Sequence, residues 1–243
     1  MDKSKLLRQF FFIVASFPKT IWFNFRTFDF KTAIHLPVLV GYNVKVLETH
    51  KESITFKLKE GRKLSIFLVR FGFGGPRGIP SYGRSELCLE KGGHVEFQGS
   101  ASFGRGSSLR VSGNLIVGNH LSTSKNSFIS CSAKGSRFGD DVMFGWNVHV
   151  RDSDGHTVYK DGIPKLSKKP FDIGNHVWLC AEAHVLKGVV IADNSIVGYR
   201  STVTKSFTEH GSLIGGSPAR LLQTGVRWGK YNENDEMLIE TNR

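Results

Sequence analysis

Large apolar residues recur at every sixth position over much of the second half of the chain. In the segment DIGNHVWLCAEAHVLKGVVIADNSIVGYRSTVTK they occupy Ile173, Leu179, Val185, Ile191, Val197 and Val203. The same spacing appears earlier, at Phe97, Phe103, Leu109, Leu115 and Leu121, and again at Phe138, Phe144 and Val150. A period of six is neither the period of a helix face nor that of an alternating strand, and it indicates an internal repeat.

The fourth residue after each anchor of the regular segment is also restricted. These positions hold small or β-branched residues, namely Val177, Ala183, Val189, Ser195 and Ser201. Each unit therefore supplies one short strand with an inward apolar residue and one tight corner that takes a small residue. Stacked coils pair their backbones about 4.8 Å apart, which satisfies the amides between neighbours. The pattern predicts a β-solenoid; an ordinary β-sandwich with accidental spacing is the alternative.

The first 90 residues show a different pattern. Residues 30–75 alternate loosely between apolar and polar positions, with turn signals at Gly41 and Gly61, and predict a few strands. Before them, LLRQFFFIVASFPKTIWFNFR mixes apolar and basic residues, and its uncharged part, which ends at Pro18, is too short to span a bilayer. Three interpretations stay open for this segment: packing onto the domain or a partner subunit, contact with a membrane surface, and export.

Charge and cysteine content narrow the partners and the compartment. The 243 residues include 33 Lys and Arg against 21 Asp and Glu, a formal net charge of +12. Such a balance favours acidic partners: nucleic acid, anionic lipid, a phosphorylated cofactor or an acidic glycan. Three widely spaced cysteines without a C-x-x-C pair indicate neither a disulfide framework nor a cysteine zinc site. We therefore expect a cytoplasmic protein, with peripheral membrane contact through the N-terminal segment left open.

The repeat is interrupted at VRDSDGHTV, residues 150–158. This stretch places Asp152, Asp154 and His156 between the anchor Val150 and Phe171. A loop that leaves a rigid solenoid can carry a side chain into a groove while the coils hold its base. An imidazole is suited to accept a proton from a hydroxyl group near neutral pH. The two aspartates either orient that imidazole or serve as turn residues.

Three stretches carry a resemblance to a known family. FGDDVMFGWNVHVRDSDGH, IGNHVWLCAEAHVLKGVVIADNSIVGYRSTVTKSF and LIGGSPARLL resemble the hexapeptide-repeat acyltransferases, especially O-acetyltransferases of sugars and surface polysaccharides. The resemblance covers residues 97–223 and implies an all-β, left-handed parallel β-helix. On this basis we expect an N-terminal cap at 1–90, the β-helix at 91–223 with a catalytic loop at 151–170, and a C-terminal extension at 224–243. The resemblance also implies a homotrimer with active sites between subunits.

The same resemblance implies roles for individual residues. His156 is expected to be the catalytic base, assisted by Asp152 or Asp154, and acetyl-CoA is expected to be the acyl donor. The residues expected to contact CoA are Trp178, Ala181, Tyr199, Thr204, Lys205 and Arg220. The chain departs from the family at Tyr199, where a small residue is common, and at Gln223, where a second basic residue is expected. A tryptophan wedged between coils and a solvated turn lysine are the structural alternatives for Trp178 and Lys205.

The sequence indicates the acceptor-binding residues less clearly than the donor-binding residues. Asn126 and Lys160 are the candidate acceptor-binding residues, although Asn126 does not align firmly with the family's asparagine. Lys165, Lys168 and Lys169 add further positive charge near His156, which suits an acidic glycan; solvated loop charge is the alternative.

Two other functions compete with acyl transfer. A zinc hydrolyase on the same solenoid needs three converging histidines, and the histidine spacing does not reproduce the expected pair, so we expect no metal. A basic scaffold or nucleic-acid-binding module is motivated by the charge. The repeats show no interleaving of exposed aromatic and basic residues, so nucleic acid is not an expected partner.

Overall fold

The computed structural model describes residues 3–59, 61, 63–75 and 78–229. In this part of the chain, successive short strands join three parallel sheets in rotation, so that three strands and the corners between them make one coil. Residues 1–2 of the predicted cap and residues 230–243 of the predicted C-terminal extension lie outside the described residues.

Each of the three sheets is a stack of short strands, paired in order along the axis of the solenoid. Sheet A consists of β1 (Val38–Val40), β4 (Val69–Phe71), β7 (Ala101–Phe103), β10 (Leu121–Ser122), β13 (Met143–Phe144), β18 (Trp178–Leu179), β21 (Ile196–Val197) and β23 (Leu213–Gly216), with β24 (Ala219–Gln223) antiparallel at its end. Sheet B consists of β2 (Lys45–Glu48), β5 (Glu86–Leu89), β8 (Ser108–Val111), β11 (Phe128–Cys131), β14 (His149–Arg151), β19 (His184–Val185) and β22 (Thr202–Val203). Sheet C consists of β3 (Ile54–Phe56), β6 (His94–Phe97), β9 (Asn114–Val117), β12 (Lys134–Phe138), β17 (Asp172–Ile173) and β20 (Val190–Ile191). The turns that lead from one sheet to the next are called the A/B, B/C and C/A corners.

The six-residue anchors form the core. Leu179 pairs with Val197, 18 positions later, because three six-residue units complete one coil and return the chain to the same sheet. All fourteen predicted anchors are at most 3% exposed. The predicted small corner residues, Val177, Ala183, Val189, Ser195 and Ser201, are buried as well. The prediction of a solenoid with inward anchors and small corners is therefore confirmed.

The solenoid begins earlier in the chain than the sequence pattern indicates. Strands β1, β2 and β3 form a first coil and pair in parallel with β4, β5 and β6. Twelve residues separate β3 from β4 and fourteen separate β4 from β5, and these long connections interrupt the six-residue spacing. Residues 38–90 thus continue the β-helix, and the architecture does not change at residue 90.

A long helix covers the start of the solenoid. The helix α1 (Lys3–Thr27) packs on β1, and a single turn, α2 (Phe30–Ala33), follows it. The Asn24 side chain donates to Val38 O at 2.7 Å and accepts from Val38 N at 3.2 Å. The Thr20 hydroxyl pairs in the same way with the carbonyl and amide of Val40, at 3.3 and 3.1 Å. These side chains supply the partners that a further strand would give to the free edge.

The match between helix and strand has a geometric reason. Four residues of a helix rise about 6 Å, and two residues of extended chain rise about 6.6 Å. Helix positions 24 and 20 therefore lie beside positions 38 and 40 of β1, and helix position 16 lies beside position 42, just after the strand. Ser16 completes the series by accepting from Tyr42 N at 2.9 Å. The face of α1 toward β1 therefore buries Ser16, Thr20 and Asn24 together with Phe23, and most of the other described apolar side chains of the helix are exposed. Among the described residues, no helix is both long and apolar enough to cross a membrane.

Candidate functional site

The D-G-H stretch lies in a loop that leaves the solenoid at a B/C corner, between β14 and β17. Two short antiparallel strands, β15 (Tyr159–Lys160) and β16 (Ile163–Pro164), form a hairpin at its tip. At the base, Asp154 N donates to Ser167 O and Lys169 N donates to Asp152 O, both at 2.9 Å. The loop is an extended excursion whose two ends are tied to each other and to the coil.

Asp152 anchors the base of this loop. Its side chain is completely buried. One carboxylate oxygen accepts from Ser132 N at 2.7 Å, and the other accepts from Ala133 N at 2.9 Å and from the Ser136 hydroxyl at 2.7 Å. The carboxylate therefore holds the neighbouring corner of the preceding coil. This geometry favours the structural interpretation of Asp152 over a direct one.

Asp154 ties the loop to the next coil. Its carboxylate forms an ion pair with Lys187, whose ammonium group also donates to Leu166 O at 2.7 Å. Lys187 belongs to the B/C corner after β19, so this contact draws the loop over the stack toward its C-terminal end. Sequence reasoning missed Lys187. Its position at the B/C corner one coil after Asp154 was the available signal.

His156 stands on the exposed side of the loop. Gly155 precedes it with a φ of +81°, a conformation that favours glycine, and the Gly155 amide donates to the Ser153 hydroxyl at 3.1 Å. Within the part of the chain that the structure describes, the His156 ring makes no hydrogen bond. Both ring nitrogens are therefore accessible to a bound molecule.

Thr204 and Lys205 share the B/C side of the solenoid with the loop. They follow β22 directly, one coil beyond Lys187, and both side chains are exposed. The Lys205 ammonium group lies 5.6 Å from the centre of the Phe207 ring. Lys160 is exposed on the hairpin, as are Lys165, Lys168 and Lys169 nearby. The sequence-predicted residues thus make this side of the molecule basic around the imidazole.

Ala181 and Tyr199 lie at A/B corners instead. Ala181 is buried, and among the described residues its amide has no hydrogen-bond acceptor. A Cβ added at Gly145 would lie 2.4 Å from that amide nitrogen, so only glycine fits below this turn. The Tyr199 hydroxyl donates to Glu182 at 2.9 Å, and this bond raises the pKa of the phenol. The amide of Ala181 is the unused donor of this corner.

A cavity next to this corner contains two histidines that no part of the predicted site used. It measures about 480 Å³, and its lining includes His149, His184, Glu182 and Arg200. The two imidazole rings stack at 4.8 Å on the outer face of sheet B. Partial desolvation of the stacked ring, together with the neighbouring His184, lowers the pKa of His149. Each histidine directly precedes a six-residue anchor, and this shared position was the signal that could have placed them in one column.

The remaining predicted residues lie elsewhere on the solenoid. Trp178 is half-buried on sheet A, between the rungs of Met143 and Ile196, and its ring lies 6.2 Å from Trp228. Arg220 is exposed on β24, at the end of sheet A.

Asn126 is already engaged within the chain at an A/B corner. It accepts from Tyr82 N at 2.8 Å and donates to Pro80 O at 3.0 Å. One subunit therefore does not bring Trp178, Arg220 or Asn126 to the loop.

The described residues contain no group of three or more His, Cys, Asp or Glu side chains placed to hold a metal ion. His176 stacks on Trp228 at 4.1 Å at a C/A corner, and His120 pairs with Asp141 at another. Cys88, Cys131 and Cys180 are free thiols. His149 and His184 stack on sheet B, whereas His120 and His176 lie at C/A corners and His156 lies on the loop.

Comparison with known proteins identifies the repeat. Residues 172–205 match the family described as bacterial transferase hexapeptide (six repeats), which coincides with the most regular part of the pattern. The resemblance to hexapeptide-repeat acyltransferases and the left-handed parallel β-helix are confirmed. A polysialic acid O-acetyltransferase structure has the same fold, with a TM-score of 0.50, 22% identity, and coverage of 84% of this chain and 92% of that chain.

Curated relatives match shorter stretches. A chloramphenicol acetyltransferase from Klebsiella aerogenes is 30% identical over 110 residues, which are 45% of this chain and 50% of the relative. A galactoside O-acetyltransferase from Escherichia coli strain K12 is 34% identical over 89 residues, 35% of this chain and 42% of the relative. The chain spans half or less of the length of the curated relatives it matches.

Proposed function

We propose that this hexapeptide-repeat chain is an acetyl-CoA-dependent O-acyltransferase that esterifies a hydroxyl group of a sugar or glycan. One observation carries the proposal: an exposed imidazole, His156, stands on a loop that Asp152 and the Asp154–Lys187 ion pair fix to the solenoid beside Thr204 and Lys205. The curated relatives are named as acetyltransferases, which supports acetyl transfer.

The reaction that His156 suits is transfer of an acyl group from a thioester to an alcohol. The imidazole takes the proton of the acceptor hydroxyl while the hydroxyl oxygen forms a bond to the thioester carbonyl carbon. The carbon–sulfur bond then breaks, and the sulfur takes a proton, which yields an ester and a free thiol. General-base catalysis of this kind contributes about 10²- to 10⁴-fold. Asp154, through Lys187, acts in this proposal as a positioning residue for the loop.

The donor-binding residues suggest why the enzyme needs more than one subunit. A long acyl-CoA arm needs hydrogen-bond donors along its length and cations at its phosphates. The unused amide of Ala181 lies at an A/B corner, whereas His156, Thr204 and Lys205 lie on the B/C side. We infer that a homotrimer brings an A/B corner of one subunit against the B/C side of the next. Tyr199 and Arg220 then line the arm and its phosphate end.

The acceptor proposed here is an acidic glycan. Lys160, Lys165, Lys168 and Lys169 are exposed on the loop that carries His156, and none of them forms an ion pair within the described residues. Unpaired cations around His156 would raise the local concentration of an anionic substrate. We place the reaction in the cytoplasm, a reducing compartment that suits three free thiols.

The decisive experiment measures thiol release from acetyl-CoA against a panel of nucleotide sugars, neutral glycans and acidic glycans. Turnover with an acidic glycan is expected. His156→Ala should lower it by at least about 100-fold while the affinity for CoA is nearly unchanged. His35→Ala, which removes an exposed histidine near α1, is the matched control and should retain full turnover. Unchanged turnover in His156→Ala would contradict the assignment of the base.

The donor site is tested separately with Arg220→Ala. The KM for acetyl-CoA should rise while kcat changes little, because the guanidinium group binds phosphate in both ground state and transition state. A rise in the acceptor KM instead would move Arg220 to the acceptor. Absence of thiol release with every acceptor, together with salt-sensitive DNA binding, would support the basic-scaffold alternative.

A further inference from the structure

The helix α1 exposes an apolar face to solvent. We call the exposed apolar side chains between Leu7 and Phe25 the outer apolar face. Among them Phe10 and Phe11 are 61% and 60% exposed, and Val14 and Trp22 are each 51% exposed. Exposed apolar surface that is contiguous along several helical turns marks an interaction site in a folded protein.

The fold explains why this face points outward. A helix that covers a core normally buries its apolar side. Here Ser16, Thr20 and Asn24 have to face β1, because they satisfy the free backbone groups of the first strand. The Phe12 ring fixes the same orientation, since it packs at 4.9 Å against both Tyr42 and Phe73. The orientation of α1 therefore keeps the outer apolar face exposed to solvent.

A cationic cavity adjoins the outer apolar face. It measures about 450 Å³, and Trp22 forms part of its wall together with Lys19, Lys45 and Arg84. None of the described residues that line it is acidic. Lys19 is fixed in place, because its ammonium group donates to Tyr42 O at 2.5 Å and to Val44 O at 2.8 Å.

The charge of this cavity is unpaired. Within the described residues, neither Lys45 nor Arg84 forms an ion pair, although Glu86 stands opposite Lys45 in the register of β2 and β5. Burial and the neighbouring Arg84 lower the pKa of Lys19, as expected where positive charges accumulate. A phosphate group would complement all three cations and fit the space.

We propose that the outer apolar face and the cationic cavity form a docking surface for a bilayer that contains anionic phospholipid, with one headgroup phosphate seated among Lys19, Lys45 and Arg84. Trp22 then lies at the level of the headgroups, where tryptophan is favoured. The apolar side chains of α1 enter the boundary of the acyl chains, as in interfacial helices. This proposal goes beyond the acyl transfer proposed above and does not depend on it.

Charge decides between a bilayer and a second copy of the chain. The sequence of α1 contains five Lys and Arg residues and no Asp or Glu, within a chain of net charge +12. Two such faces would repel each other, whereas an anionic surface complements them. The loop that carries His156 leaves sheet B four strands after β2, about 19 Å along the stack at 4.8 Å per strand, so docking leaves it accessible.

The test is co-sedimentation of the full chain with vesicles of phosphatidylcholine alone and with vesicles that also contain phosphatidylglycerol. Binding is expected only with phosphatidylglycerol, should weaken as salt is added, and should shift the summed fluorescence of the four tryptophans to the blue, because Trp22 enters the bilayer. The double variant Lys45→Gln and Arg84→Gln should bind about 25-fold more weakly, about fivefold for each cation removed. Phe11→Ser with Trp22→Ser should abolish binding.

Controls distinguish this proposal from nonspecific adsorption to vesicles and from failure of the proposed acyl transfer. Lys91→Gln with Lys134→Gln removes two exposed cations elsewhere and should bind as the wild type does. Equal binding to both kinds of vesicle, or no effect of the cavity variant, would overturn the proposal. The proposal would also be overturned if the protein formed an oligomer without lipid that Phe11→Ser with Trp22→Ser dissociates. The outer apolar face would then cover a second copy of the chain. Thiol release measured without vesicles tests the acyl transfer independently.

Discussion

Substituting Asp152 tests whether its carboxylate holds the solenoid or acts on the catalytic imidazole. In Asp152→Ala, Ser132 N, Ala133 N and the Ser136 hydroxyl lose their common acceptor. Hydrogen bonds to a charged group contribute about 1.5–3 kcal/mol each. The Ser136 hydroxyl can rotate and Ser132 is partly open to water, so the main unsatisfied donor is the buried amide of Ala133. We expect the free energy of unfolding to fall by about 3–4 kcal/mol.

Asp152→Asn gives a graded second perturbation. The side chain keeps its shape, but one oxygen becomes an NH₂ group, so one backbone N–H faces a donor in place of an acceptor. If the NH₂ group turns toward the more accessible Ser132, the Ala133 and Ser136 bonds survive. The expected loss is then about 1–2 kcal/mol.

The assay combines denaturant unfolding followed by circular dichroism with turnover well below the unfolding transition. Glu209→Ala, which removes an exposed carboxylate, is the control and should change the stability by less than about 0.5 kcal/mol. If both Asp152 variants were as stable as the wild type while turnover fell about 100-fold, the structural assignment would be refuted. The carboxylate would then act on His156.

Three further predictions concern the helix cap, a titrating histidine and the thiols. Asn24→Ala should cost about 2–4 kcal/mol in denaturant unfolding, because the amide and carbonyl of Val38 stay buried without partners; an unchanged transition would contradict the edge-capping role. Partial desolvation and the neighbouring His184 hold the pKa of His149 below its ordinary value of about 6.5, so the unfolded chain binds the proton more readily and stability is lost as pH falls below about 6.5. His149→Phe should therefore lose less thermal stability than the wild type between about pH 7.5 and about pH 5.5, and an equal loss would count against this. Burial raises the pKa of the Cys180 thiol to about 11 and raises those of Cys88 and Cys131, so Ellman's reagent should react quickly only after unfolding; a fast-reacting native thiol would disprove this.

The positions of the anchors and of the loop could be read from the sequence because a solenoid is almost one-dimensional. Once the six-residue period is set, counting assigns each residue to a sheet or a corner, and each coil contacts only its neighbours. The anchors predicted from this period are buried in the core, and the D-G-H stretch, which interrupts the period, lies on a loop outside the stack. The first coil could not be predicted in this way, because long insertions at the corners interrupt the six-residue period although the strands still stack.

The direction of polar side chains was decided by tertiary structure. Nothing local in the sequence separates Asp152, which turns inward to three donors, from Asp154, which turns outward to Lys187. The helix α1 shows the same limit. Ser16, Thr20 and Asn24 are buried on it beside Phe23, and only the free edge of β1 explains their burial. The sequence by itself determined the repeat, its core and the location of the candidate base. The tertiary structure decided which polar side chains form hydrogen bonds within the solenoid and which remain available to a ligand. Their hydrogen-bond partners come from residues far apart in the chain, so local sequence does not show them.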